Sequence, residues 1–203
     1  MAIYLDGQPV DLAGDTLGAV IDAARGRLTS AGRMLVEVTF NGEPYFGDDL
    51  QAQRQSPIGG GEVILVSAEP RELAGTTLQQ VRASLEDARA AQHDAAERFQ
   101  QDQPAEAMQQ VGRAIEVWQG TQQAVLQSAR LVGIDLNQRV FEDQPMNVVI
   151  EALVLQLRNL RDLLTAGDTV GLADSLAYEW PELTDRWDRL LGEMIVWTGT
   201  TSK

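Results

Sequence analysis

The sequence predicts an α+β chain, with a small strand-rich domain ahead of a longer helical one. Two observations carry this. The hydrophobic period switches close to residue 70, from short alternating runs broken by Gly, Asn-Gly and Asp-Gly to apolar residues recurring every three and four positions. The 203 residues are 44% apolar, enough for two modest cores, and hold no run approaching the ~18 apolar residues of a membrane span. The expected boundaries are 1–68 for the first domain, 70–197 for the second and 198–203 for a disordered tail.

Each element of the first domain has a local cause. Ile3-Tyr4-Leu5, Asp6-Gly7 and Pro9-Val10 read as a tight hairpin, because Asp-Gly supplies the positive φ angles of a type I′ turn. Thr16 is a helix N-cap candidate, and Leu17, Val20, Ile21, Ala24 and Leu28 then line one face of a helix ending near Gly32. Met34–Phe40 is the strongest strand signal, turned by Asn41-Gly42 into Pro44-Tyr45-Phe46. A polar stretch leads through Gly59-Gly60-Gly61 to a last strand, Glu62–Ser67. No Lys-Ser/Thr and no helix follow these glycines, so they read as a turn and not as a phosphate loop.

The order ββαββ with one helix across the sheet resembles the β-grasp (ubiquitin-like) fold. Its sulfur-carrier, ThiS-like branch has a final turn similar to Gly60-Gly61-Glu62-Val63. That resemblance implies a β-grasp domain. Carrier chemistry needs a free C-terminal Gly-Gly, whereas here the glycines precede the last strand and the chain runs on to Lys203. Docking is the use it then implies.

The second domain shows stripes at alternating three-four spacing. They are Leu78, Val81, Leu85, Ala88, Gln92, Ala95, Phe99; Met108, Val111, Ile115, Trp118, Gln122, Val125, Ala129, Val132; and Leu176, Trp180, Leu183, Trp187, Leu190, Met194. Between them Val149, Leu153, Leu157, Leu160 and Leu164 mark a broadly apolar helix. Such spacing is the seam of antiparallel bundles. Breaks at Gln103-Pro104, Gly133-Ile134-Asp135, Gln144-Pro145 and Ala166-Gly167-Asp168 are short apart from 133–146. Pro181 lies inside the last pattern, where a helix must kink or restart. The expectation is an antiparallel four-helix bundle with its last helix broken at Trp180-Pro181; seam residues Gln92 and Gln122 read either as register-fixing hydrogen-bond partners or as half-exposed residues near the bundle end.

The chain is poor in catalytic residue types. It has no cysteine, and its one histidine, His93, falls on the polar side of a helix. Zinc and di-iron sites lack their ligands, and Asp11, Asp15, Asp48 and Asp49 lack calcium-loop spacing. The expectation is no catalytic, cofactor or metal site. Glu182 with Arg186, and Asp185 with Arg189, read as i,i+4 pairs of an exposed helix. Tyr178, Trp180 and Trp187 form the aromatic concentration, with Trp197 beyond. Trp187 fits the core, while Trp180 and Tyr178, beside a helix-breaking proline, are the candidate partner-binding residues.

Formal charge is −14, with nine acids against four bases over 1–68 and twenty-one against twelve over 69–203. Both segments disfavour nucleic acid and anionic lipid, whose affinities rest on clustered bases. Lys203 is the only lysine, an arginine bias that a GC-rich bacterial genome explains. The N-terminus lacks a signal-peptide pattern, so the expected compartment is the cytoplasm. The helical segment resembles bacterial helical-bundle proteins such as FliT-type flagellar export chaperones, in its acidity, its amphipathic helices and its aromatic-rich last helix. No motif transfers functional residues with it. The resulting expectation is a non-enzymatic adaptor or chaperone-like protein that binds another protein through a bundle groove, the β-grasp sheet or both. Two alternatives stand beside it. One is an enzyme-associated β-grasp protein acting on a small acyl or sulfur substrate, with acids converging beside Gly59–Gly61. The other is a structural protein whose seams pair between copies.

Overall fold

The computed structural model describes residues 2–199 as two compact units, one ending at Leu73 and the other beginning at Ala74. Together they make an α+β chain with a small mixed sheet confined to the first unit.

In the first unit, β1 (Ala2–Leu5) and β2 (Gln8–Pro9) form a hairpin whose turn residues Asp6 and Gly7 take φ of 52° and 75°. Helix α1 (Leu17–Ser30) starts where the Thr16 hydroxyl accepts the Ala19 amide at 3.3 Å. Leu17, Val20, Ile21, Ala24 and Leu28 are buried along its inner face, as their spacing predicts. Strands β3 (Met34–Phe40) and β4 (Glu43–Tyr45) flank the Asn41-Gly42 turn, and β5 (Glu62–Ala68) closes the unit. The sheet order is β2-β1-β5-β3-β4, with β1 and β5 parallel and the other pairs antiparallel. Val63 and Leu65 alternate inward from the central strand onto Ile3, Leu5, Val38 and α1. One element was not expected, helix α2 (Gly47–Gln53). Its only large apolar residue is Leu50, too little to register as a periodic face.

Both edge strands carry a proline, Pro9 on β2 and Pro44 on β4. Each removes a ladder donor and blunts the edge against further pairing. Gly61 is set by close approach, since a Cβ there would meet Asn41 Oδ1 at 2.6 Å. That same oxygen accepts the Glu62 amide at 3.0 Å, which ties the β3–β4 turn to the start of β5.

A polar knot joins three chain segments at the other end of the sheet. Asp6 accepts the Ser67 amide at 2.7 Å and its hydroxyl at 2.6 Å, while Arg33 donates to the Ser67 hydroxyl and carbonyl, both at 2.8 Å. Burial pushes the Asp6 carboxyl up, but the Ser67 bonds and the Arg33 charge outweigh it and hold it below its ordinary value.

The second unit is helical: α3 (Pro70–Gln100), α4 (Pro104–Val132), α5 (Met146–Ala166), α6 (Thr169–Asp174) and α7 (Trp180–Thr198). Gly133, Gly167 and Gly199 end α4, α5 and α7 in left-handed caps. Helices α3 and α7 run in opposite directions, because Arg82 pairs with Asp188, Arg89 with Asp185, and Gln92 Oε1 accepts the Thr184 hydroxyl. The buried face of α4 is Ala107, Val111, Ala114, Trp118, Thr121 and Val125; Met108, expected on the seam, is 44% exposed.

The core centre is aromatic. Trp118 meets Trp187 edge-on at 5.6 Å between ring centroids and Trp180 at 5.8 Å. All three are at most 1% exposed, and neither their indole N–H groups nor the Gln92 amide nitrogen finds a protein acceptor among the described residues. The expected register role of Gln92 therefore rests on one hydrogen bond, and Gln122 is only half-buried.

The connection from α4 to α5 folds into a second hairpin, β6 (Val140–Phe141) and β7 (Gln144–Pro145), with Phe141 buried in the helical core. Its turn residues Glu142 and Asp143 hold φ of 49° and 61° without glycine or asparagine, so no turn signature announced it. Helix α7 runs past the expected limit at 197: Thr198 is buried and donates to the Ile195 carbonyl. Residues 200–203 of the expected tail lie outside the described residues.

Two stability predictions follow from these networks. Ser67→Ala lowers stability by about 1–2 kcal/mol at neutral pH. The deficit narrows as pH falls below about 4, where the depressed Asp6 carboxylate loses its advantage over the unfolded chain. Urea melts at a series of pH values check this. Gln92→Met removes a buried amide nitrogen that lacks an acceptor, together with a long Oε1 bond whose Thr184 donor keeps the Trp180 carbonyl, and leaves stability unchanged or raises it by about 1 kcal/mol, while Trp118→Ala costs about 3–5 kcal/mol. Thermal melts of the three proteins separate these outcomes.

Candidate functional site

Between α6 and α7 the helix widens into a π-helical turn, Ser175–Glu179, in which the Trp180 amide donates to the Ser175 carbonyl five residues back. Pro181 is the cause, because it has no N–H for the carbonyl four residues earlier and its ring crowds that position. The expected break at Trp180-Pro181 is thus taken up by a widened turn. Leu172, Leu176, Trp180 and Thr184 remain buried at four-residue steps. On a regular α-helix such steps drift by about 40° each, and the wider turn resets the drift.

The turn places two kinds of side chain. Trp180 points into the core, at 1% exposure against Trp118. Trp180, expected from the sequence as a partner-binding candidate, is therefore packed in the core of the helical unit in this structure. Tyr178, its companion in that expectation, is 73% exposed. Trp187 sits in the core as expected.

Beside the turn lies an open cleft of about 250 Å³, walled by Ala152 and Gln156 of α5 and by Glu179, Glu182, Leu183 and Arg186. At one end the Gln156 amide donates to Glu179 Oε2 at 2.6 Å and to the Ser175 hydroxyl at 3.1 Å, and that hydroxyl donates to the same Glu179 oxygen at 2.7 Å. The Ser175 bond first, and the Gln156 bond second, hold the Glu179 carboxyl below its ordinary value despite some burial. At the other end Arg186 donates to Glu142 at 3.0 Å and to the Gln144 side chain at 3.1 Å. Arg189 binds the other Glu142 oxygen at 2.8 Å, and the two arginines, Arg189 foremost, depress that carboxyl.

These bonds correct the expected intrahelical pairs. Arg186 and Arg189 leave Glu182 and Asp185 for Glu142 of the β6–β7 hairpin, and Asp185 turns to Arg89 of α3. Sequence spacing sees neighbours on one helix only, so pairs reaching forty residues or more along the chain were invisible to it. Glu182 is left in the cleft with no basic partner among the described residues.

Helix α5 continues the cleft outward. Val148, Ala152 and Leu155 fall on one face by helical spacing, with Val148 40% and Leu155 62% exposed. A strip of exposed aliphatic surface therefore borders a cleft edged with carboxylates.

The other sequence candidates lie apart. His93 is exposed and 3.5 Å from Glu97, its neighbour four residues on. Gly61 lies against Asn41, the Ile58 carbonyl and Phe40. Among the described residues no group of three or more His, Cys, Asp or Glu could hold a metal ion, and no helix is long and apolar enough to cross a membrane.

Ser175→Ala raises the Glu179 pKa toward the ordinary carboxylate value, since the hydroxyl is the largest lowering influence. Carboxyl NMR titration of the full chain reads this directly. The stability tied to this carboxylate is present at neutral pH and lost as pH falls, so the variant also flattens the acid limb of the stability curve. Comparison with family models, curated proteins and solved structures yields no match to this chain.

Proposed function

We propose that this chain is a non-enzymatic, cytoplasmic adaptor or chaperone-like protein whose helical unit receives a segment of a partner protein. The carrying observation is the continuity between the exposed Val148–Leu155 strip and the Ala152/Leu183 floor of the cleft, with exposed Tyr178 next in sequence to the cleft residue Glu179. Apolar and aromatic side chains offered to solvent beside a preformed concavity are what helix-in-groove recognition uses.

In this reading the first unit is a β-grasp module, supported by its strand order, its parallel β1–β5 pair and its single long helix. The second is a four-helix bundle in which α6, the π turn and α7 act as one bent helix, supported by the opposed course of α3 and α7. The prolines on both sheet edges weigh against strand addition as a docking mode. The helical unit is then the partner-binding half.

The test compares the full chain with Leu155→Ser and Tyr178→Ala as baits in the same lysate. Both substitutions are on the surface and change stability by no more than about 0.5 kcal/mol. The reading expects a protein retained by the parent chain and lost from both variants, with melting curves unchanged. Identical retention by all three baits overturns it. A doubled mass by light scattering, abolished by Leu155→Ser, reassigns the strip to self-association.

A further inference from the structure

We infer that the segment received by the cleft is a cationic amphipathic helix, its apolar side on Val148 and Leu155 and its Lys or Arg side chains on Glu179 and Glu182. The inference rests on the adaptor reading and adds the chemistry of the partner.

Three features of the site converge on it. The aliphatic strip of α5 runs between carboxylates, with exposed Glu151 on one flank by helical spacing and Glu179 and Glu182 across the cleft on the other. The one base in the cleft wall, Arg186, is spent on Glu142 and Gln144. Other bases of the unit are also engaged internally, Arg82, Arg89 and Arg98 with aspartates and Arg139 over the Trp197 ring. Arg158, exposed and in no ion pair among the described residues, lies on the far side of the strip from the cleft. The local field at the groove is therefore negative, and the two nearest cleft carboxylates differ in readiness. Glu179 is held ionised and oriented by Ser175 and Gln156, and Glu182 has no basic partner among the described residues. A helix with acidic or neutral polar positions gains the same apolar contact without the charge match, so charge discriminates between partners.

The shape favours a helix as occupant. The strip advances at four- and three-residue steps along α5, the spacing with which a second helix interdigitates. Tyr178 and Leu155 provide a rigid ring and a branched aliphatic of the kind that anchors such contacts.

The full chain is presented with a displayed library of amphipathic helices about 18 residues long, enough to span the strip. All share one apolar face, and their polar positions range from Glu-only to Lys/Arg-only. The expected result is enrichment of the Lys/Arg-bearing helices, abolished by Leu155→Ser. Glu182→Gln weakens binding of a selected helix about two- to fivefold, with a matching loss on raising salt. Enrichment of neutral or acidic helices overturns the inference. So does binding of cationic helices that is unchanged by both substitutions, because it is then charge attraction without a site. If no helix is enriched while Leu155-dependent capture of a lysate protein persists, the cationic-helix inference fails and the adaptor reading stands. If both vanish, both fail.

Discussion

Pro181 cannot donate a backbone hydrogen bond, and the segment joining α6 to α7 is arranged around that deficiency. The helix answers by widening for one turn before the proline. The inserted residue keeps Leu176 and Trp180 facing the core on either side of the break. Ser175 and Glu179, four residues apart, share a side of this turn, and Gln156 of α5 closes a three-membered polar network with them. A regular helix through this segment would carry the aliphatic stripe round to solvent within two turns. The proline thus does more than interrupt: it decides which side chains reach the core and which wall the cleft.

Charge is distributed unequally inside the helical unit. Four of its arginines, Arg82, Arg89, Arg186 and Arg189, are drawn into pairs that span helices or reach the β6–β7 hairpin, and these pairs are local clamps more than sources of large stability. Their greater effect is subtraction. With Arg186 committed to Glu142 and Gln144, the other charged groups lining the cleft are the carboxylates Glu179 and Glu182. Glu142 shows how far the arrangement goes: it occupies an unfavourable left-handed backbone position, and its two oxygens take one arginine each.

Much of the architecture was legible in the residues. Asp6-Gly7, Asn41-Gly42, Thr16 and the stripes of α3 and α7 act through local backbone rules, and such rules operate before any tertiary contact forms. What escaped was of another kind. Helix α2 has one large apolar residue and no periodic face. The Glu142-Asp143 turn takes left-handed backbone without glycine or asparagine, and the arginines that hold Glu142 lie more than forty residues along the chain. The cleft is a meeting of α5 with a π turn, and no single stretch of sequence contains it. Trp180 was ambiguous for the same reason: its spacing places it on the stripe, and its neighbouring proline casts doubt on whether the stripe continues. The widened turn resolves that conflict, which periodicity computed for a regular helix could not express.

The tryptophan cluster has a consequence for how this molecule reports on itself. All four tryptophans, Trp118, Trp180, Trp187 and Trp197, belong to the helical unit, and the sheet unit is left with Tyr4 and Tyr45. Indole rings held 5.6 and 5.8 Å apart are close enough for their electronic transitions to couple. Near-ultraviolet dichroism at indole wavelengths therefore follows one unit alone. Set against far-ultraviolet signals from the whole chain, it provides a native optical handle for asking whether the two units melt together or in turn.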